Sequence, residues 1–421
     1  MIIRAIAIVF TIYLLCVLPT HAADVPQEVS FLIAYHLALE NNKSLLLEEV
    51  SQRKSELSEI QARSHRLPRA DASWQYQRND DDDTSRTLSA QIRQPLYTGG
   101  LASAEQRKSE NLQRSASYQL SQVRQNILRD LIEVVADIHM AQQIVAVHKE
   151  NVRRLEEHVN KSHVRLEVGE ISRPVLLQSQ MALSEGRADY FESRSRLATL
   201  NVRLNNIVGD TRDVQVTDNL EAPPIPKHNL DQWLKLANRK RQDLRAEQQL
   251  LDYTHHDLRA QVSRYYPTLD AFARYNQESS SSRSTTEAVL MGVRLQVPIF
   301  EGGTRIASYR EAKYNTIERS HRILQKKEGI RFEVHQVLNE LEVLDYKLEE
   351  AASRIEYAQE NLRMVTLQFE VGKSTNLDVL DAMVSLKNAE QAMTTAHYEI
   401  IKARFRLLYH AGILDTSYFA S

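Results

Sequence analysis

The chain has 421 residues, 26% of them charged and 42% hydrophobic, with 53 Lys plus Arg against 55 Asp plus Glu. This composition supplies material for a sizeable apolar interface beside a solvated surface, which excludes a disordered chain. The near-neutral balance, without a basic stripe to neutralise phosphates, excludes nucleic acid as a partner.

At the N-terminus a single cation, Arg4, precedes an apolar run over residues 5–18, followed by Pro19 and the small residues Ala22 and Ala23. That is the pattern of a secretory signal peptide, predicted over residues 1–22 with cleavage after Ala22 or Ala23. The run is short for a bilayer span of about 20 residues. Cys16, the one cysteine, follows Leu15, where a lipoprotein signal needs a small residue, so the mature chain is expected to carry neither a lipid anchor nor a disulfide. No later stretch is apolar enough for a transmembrane helix, and any entry into a membrane has to be by β-strands.

A first structural repeat is expected over residues 23–209. It opens with a helix over about 26–66. Two strands follow, near 70–78 and 86–95, in which Ala70, Ala72, Trp74 and Tyr76, then Leu88, Ala90 and Ile92, alternate with polar residues at the period of a half-buried strand. The acidic loop between them, with Asp80 to Asp83, reads as solvated. Pro95 and the pair Gly99-Gly100 then turn the chain into a helix over 101–168 that contains neither Gly nor Pro. At 1.5 Å per residue such a rod is roughly 100 Å long, too long for a compact domain. A tight turn at Gly169 leads into a returning helix over 174–208, with Pro174 in its first turn, where a missing N–H costs nothing.

A linker over 210–228, holding Pro223, Pro224 and Pro226, separates this unit from a second copy over 229–412, after which residues 413–421 form a tail. The copy repeats the parts in order: a helix over 230–265, strands near 268–276 and 287–297, a helix over 304–371 and a return over 375–411. Pro95 pairs with Pro298, Gly99-Gly100 with Gly302-Gly303, Gly169 with Gly372 and Gly209 with Gly412, all at an offset of 203. Upstream, Pro68 pairs with Pro267 at an offset of 199, so the second copy carries four extra residues, expected in its loop. Only Gly186, Gly292 and Gly329 stand outside these pairs.

The rods carry a 3.5-residue apolar period. Leu120, Ile127, Val134, Ala141, His148 and Leu155 form one series, with Leu131, Ile138, Val145, Val152, Val159 and Leu166 interleaved. Ile323, Ile330, Val337, Leu344, Ala351 and Ala358 continue the first series in the second copy, and Val334, Leu341, Leu348, Ile355, Leu362 and Phe369 the second. His148 reads as a packed neutral histidine. The remaining histidines show no metal-ligand spacing, no cofactor is expected, and no Ser-His-Asp set or carboxylate cleft supports an enzyme. The glycine turns lack the spacing and lysine of a phosphate loop.

Four amphipathic strands do not close a barrel, and an open edge in hydrocarbon leaves backbone groups unsatisfied, so the chain is expected to oligomerise. Two, three or four copies would supply eight, twelve or sixteen strands, and periodicity does not choose among them.

The duplicated order of helix, strand pair, Gly-Gly turn, long helix, tip and return resembles the TolC family of outer-membrane efflux and secretion proteins. The most specific motifs are the two Gly-Gly turns and the tips EVGEISRPVLLQSQ from Glu167 and EVGKSTNLDVLDAM from Glu370. The resemblance implies a mainly α, internally duplicated fold whose coiled-coil hairpins form a periplasmic α-barrel, with four strands per chain entering a twelve-stranded barrel of a homotrimer in the outer membrane. It implies no catalysis, and partners in an inner-membrane pump and a periplasmic adaptor, or membrane fusion protein. It also implies that Asp378, Asp381 and Phe369 stand at the closable periplasmic aperture. The first tip has Val175 and Gln178 at the places of the two aspartates, which as acidic residues near a helix N-terminus also have a plain electrostatic reason to be there. Val168, Gly169, Glu170, Ile171 and Ser172, with Val371, Gly372, Lys373, Ser374 and Thr375, are the expected adaptor contacts. The rival readings are a non-transporting trimeric coiled-coil adhesin and a periplasmic spacer or adaptor.

Overall fold

The computed structural model describes residues 27–78, 84–209, 214–226, 228–280 and 284–419. The expected signal peptide with Cys16 and the acidic run Asp80 to Asp83 lie outside the described residues.

Strand β1 (Gln27–Val29) leads into helices α1 (Phe31–Asn41) and α2 (Lys43–Ser64), strands β2 (Arg69–Arg78) and β3 (Thr84–Tyr97), and helices α3 (Leu101–Glu167) and α4 (Arg173–Val208). After strand β4 (Val214–Val216) the series recurs as α5 (Leu230–Lys240), α6 (Gln242–Ser263), β5 (Thr268–Ser280), β6 (Thr286–Gln296), α7 (Thr304–Glu370) and α8 (Asn376–His410), with a 3-10 turn at Thr416–Phe419. The eight repeat-paired glycines all adopt positive φ, and the three unpaired ones do not. Duplication has thus kept the backbone bends along with the residues.

The structure corrects the sequence reading in four places. The single helix expected at the start of each repeat is broken, at Asn42 and at Arg241, each an extended cap residue shared by two helices. The linker holds β4, which pairs in parallel with β1. The four extra residues of the second copy are not all in the loop: the β5–β6 hairpin has one more pair than β2–β3, and Ser279 and Ser280, beyond its last pair Glu278↔Thr286, pair with β3. The tail is packed, with the Phe419 ring stacked 4.0 Å from Phe31 and 5.4 Å from Phe405.

Both rods are 67 residues long, about 100 Å at the helical rise, and each packs along its own return helix. Every member of the first apolar series is buried in both copies, including His148, whose Nε2 accepts a 2.7 Å hydrogen bond from the Gln391 side-chain amide. Burial pushes the His148 imidazole below its ordinary pKa, as a neutral packed ring requires. The interleaved series is half-buried over most of its length in one chain. The largest core lies midway, where Phe31, Leu131, Trp233, Leu244, Leu407 and Leu408 from five helices meet.

The four long strands form one antiparallel sheet in the order β2-β3-β5-β6. Its hairpin registers are identical in repeat terms, since Arg69↔Arg93 becomes Thr268↔Gln296 under the two offsets. One face presents Trp74, Ile92, Met291, Val293 and Leu295 to the outside, each more than half exposed. Strands β2 and β6 are both open edges. Among the described residues no helix is long and apolar enough to cross a membrane.

Candidate functional site

Strand and helix are joined through the glycine turns. Pro95 sits at the end of β3 opposite Asp270, just before a register shift at Tyr97, so its missing N–H falls where regular pairing stops. Gly100 and Gly303 are the left-handed cap residues of α3 and α7, at φ 91 and 86. Sheet and rods therefore follow each other directly in the chain, with Pro298 and Gly302 repeating the turn in the second copy.

At the far end of the rods the two tips are exposed, Val168 and Val371 at 67% and 69%. Gly169 and Gly372 close the turns in the left-handed region, and nothing lies within 4 Å of a Cβ built on either. The amides of Glu170 and Lys373 reach back to the carbonyls of Arg165 and Gln368 at 2.9 and 2.8 Å, satisfying helix ends that would otherwise be orphaned. Ile171 and Ser374 are half-buried, while Gly169, Glu170, Ser172, Gly372, Lys373 and Thr375 are exposed.

The tips differ in their caps. Ser172 precedes α4 without a side-chain cap bond. Thr375 caps α8 in a reciprocal box with Asp378, whose carboxylate accepts from the Thr375 amide and hydroxyl, both at 2.7 Å, and from the Ser374 hydroxyl at 3.0 Å. Those donors, the Thr375 hydroxyl foremost, hold the Asp378 carboxyl below its ordinary range. Asp378 thus has a structural task, whereas Asp381 is simply exposed one turn on. Phe369 stands apart from both: it is 9% exposed and packs inside the chain with Leu155, Val379, Leu380 and Met383. The Arg165 guanidinium lies 4.6 Å over its ring and donates to its carbonyl at 3.2 Å, while also pairing with Glu170.

A buried polar cluster that sequence reasoning missed ties the two hairpins together just behind the tips. His158 on α3 bonds Asn376 Oδ1 at 2.7 Å, and Ser179 on α4 donates to the same oxygen at 3.1 Å. Ser162 lies 3.4 Å from Ser179, and all four residues are at most 5% exposed. Burial lowers the His158 pKa, leaving a neutral ring. One signal was available, for Ser162 continues the apolar series at the next seven-residue step after Leu155. Ion pairs flank the cluster, Arg154–Glu390 at 2.8 Å and Lys161–Glu370 at 3.2 Å. Arg154, His158, Lys161, Val164, Arg165 and Phe369 line a cavity of about 600 Å³ between the hairpins. Among the described residues no three His, Cys, Asp or Glu side chains converge to hold a metal ion.

The model of the family described as outer membrane efflux protein matches residues 34–210 and again 233–412, one match on each repeat. The alkaline protease secretion protein AprF of Pseudomonas aeruginosa is 22% identical over 417 residues, covering 92% of this chain and 85% of that protein. The outer membrane efflux protein BepC of Brucella suis is 23% identical over 335 residues, covering 79% and 73%. Among solved structures, that of CusC superposes with a TM-score of 0.81 at 17% identity, covering 91% of this chain and 92% of that one, which speaks to the fold.

Proposed function

Because this chain belongs to the outer membrane efflux protein family, we propose that it is the outer-membrane exit duct of an envelope-spanning export system, a passive conduit that opens at its helical tips. One observation carries this reading. An open-edged sheet with an apolar outer face runs, twice per chain, through a positive-φ glycine pair into a rod of 67 residues. In hydrocarbon such a sheet satisfies its edges only by closing with further copies, and closure sets the rods around a common axis. An adhesin or spacer has no use for two strand pairs with strand-to-helix turns.

A homotrimer with a twelve-stranded barrel in the outer membrane and a helical barrel in the periplasm is the assembly we propose, joined at the tips by an adaptor and driven by an inner-membrane pump. The relatives' names cover both protease secretion and efflux, and the cargo would be selected largely by the pump and adaptor. Asp381, with Asp378, would line the aperture as a ring of carboxylates contributed by the second tip. Conductance of the purified protein across a planar lipid bilayer tests the duct, and a protein that assembles yet passes no ions would overturn it.

A further inference from the structure

The two strand-to-helix turns of one chain differ in chemistry. In the first repeat Arg66 donates to the Ser103 hydroxyl at 3.0 Å. The counterparts of these residues in the second repeat are Tyr265 and Ile306, an apolar pair. Beside them Glu301 and Arg305 stand where the first repeat has Thr98 and Ala102, and they form an ion pair at 3.0 Å. Tyr265, Ile299, Phe300, Glu301, Arg305 and Ile306 line a cleft of about 220 Å³. It lies between the end of β6 at Gln296 and the start of α7 at Thr304, where the sheet gives way to the rod. We propose that this cleft holds the head of a glycerophospholipid with a primary ammonium group, a phosphoethanolamine, with its phosphate on Arg305 and its ammonium on Glu301. The proposal rests on the outer-membrane duct reading and adds a lipid site, one per chain, on the periplasmic side of the sheet.

The guanidinium is placed for a phosphate. The Arg305 side chain is 12% exposed and lies 5.3 Å over the Tyr265 ring, which holds its plane in the cleft. Its Nε faces Glu301, and among the described residues its two terminal nitrogens have no hydrogen-bond partner. Such a fork of N–H groups is what a phosphate accepts in bidentate fashion. The Glu301 side chain, 52% exposed, stands at the rim. A phosphoethanolamine therefore meets a cation inside the cleft and an anion at its mouth, matching its own two charges. A phosphoglycerol head has no cation to offer Glu301, and a quaternary ammonium has no N–H to donate to it. Ile299 and Phe300, 91% and 84% exposed, give the acyl chains an apolar path from the cleft towards the sheet. Strand pairing does not close off such positions. Their counterparts Leu96 and Tyr97 keep 56% and 49% exposure although Tyr97 is paired with Leu269 of β5.

Tryptophan quenching tests the site, because the chain has two tryptophans, Trp74 on the sheet and the buried Trp233. Trp74→Phe combined with Phe300→Trp leaves one reporter at the cleft beside a shielded one in the core. The variant is reconstituted in phosphatidylcholine vesicles carrying increasing fractions of phosphatidylethanolamine or phosphatidylglycerol with brominated acyl chains. Half-quenching should need roughly tenfold less of the ethanolamine lipid, the scale of one hydrogen bond to a charged group. Adding Glu301→Lys should reverse the order of the two lipids, and adding Arg305→Gln should raise the ethanolamine half-point several-fold. Equal half-points for the two lipids would overturn the site, as would a reporter that no lipid quenches because a second copy covers the cleft. Either result leaves the duct standing if the protein still floats with the vesicles and conducts. A parent protein that does not float with vesicles of any of these lipids would remove the duct reading along with the site.

Discussion

The side-chain amide of Asn42 donates to the Ile207 carbonyl at 3.1 Å, fastening the break between α1 and α2 to the end of the return helix. The same fastening recurs one repeat later, where Arg241 reaches the carbonyl of His410, the counterpart of Ile207, at 3.5 Å. Side chains of different chemistry thus do one job, because each return helix ends in a left-handed glycine lying against the break. A Cβ on Gly209 would be 2.9 Å from the Asn41 carbonyl oxygen, and one on Gly412 would be 2.7 Å from the Arg241 amide nitrogen.

That contact separates two glycines with the same backbone conformation. Gly372→Ala at the open tip should cost only the left-handed strain, roughly 1–2 kcal/mol. Gly412→Ala adds an overlap with backbone that cannot swing aside, worth roughly 1–3 kcal/mol more. Denaturant midpoints of the two variants in detergent check this, and equal midpoints would remove the packing role.

These particulars show what the sequence could and could not reveal. Local and periodic features were readable: the glycine pairs mark backbone bends, and the seven-residue series marks the buried seam. The breaks at Asn42 and Arg241 were not, because neither is Pro or Gly and each is decided by a carbonyl more than 160 residues away. Strand β4 has three residues, too few for a period, and it exists through pairing with β1. Phe369 has the apolar character of an aperture plug, but Arg165 and His158 from the other hairpin surround it. At the tip, Asn376 is an ordinary polar residue until His158 and Ser179 are brought to it.

Arg241 is 6% exposed and bonds Asp243 and Glu333. Burial alone would raise both carboxyls, but Arg241, with Lys326 at Asp243 and His410 at Glu333, outweighs it and holds each at about 2. Their ordinary values are 3.8 and 4.5. A folded-state pKa below the unfolded one gives stability that is complete above the unfolded value and lost as pH falls through the folded value. The stability advantage of the parent over Glu333→Gln should therefore hold at neutral pH and shrink between about pH 5 and 2. Thermal scans of the oligomer across that range check it, and a gap independent of pH would contradict the pairing.

Replacing Asn376 by Ala leaves His158 and Ser179 buried without their shared acceptor, a loss of roughly 1–3 kcal/mol. The loss should be local, since the cluster joins the hairpins only near the tips. Amide exchange at the start of α8 and in the facing turns of α3 is expected to speed up while the midway core stays protected. Unchanged exchange at the tips would show that the flanking ion pairs hold the hairpins by themselves.

For adaptor docking, Ser172 is a cleaner probe than Ser374, because Ser374 also donates to Asp378 and its replacement would disturb the cap. Ser172→Trp should abolish export in cells while oligomers still form and conduct. Normal export by an assembled Ser172→Trp protein would rule this tip out as a contact.

The two aspartates call for separate treatment for the same reason. Asp378 is engaged by three donors from Ser374 and Thr375, so its replacement changes both the charge and the start of α8. Asp381 is exposed on the same face one turn later, and Asp381→Asn removes charge without touching the cap. If the second tip forms an acidic ring, Asp381→Asn alone should reduce the cation preference and the divalent-cation block of channels in planar bilayers, with single-channel stability preserved. Asp378→Asn should reduce both and also make the tip noisier, because the Thr375 amide and hydroxyl lose a charged acceptor. Reversal potentials in a salt gradient read the charge and current fluctuations read the cap, so selectivity unchanged in Asp381→Asn would place that residue away from the ion path.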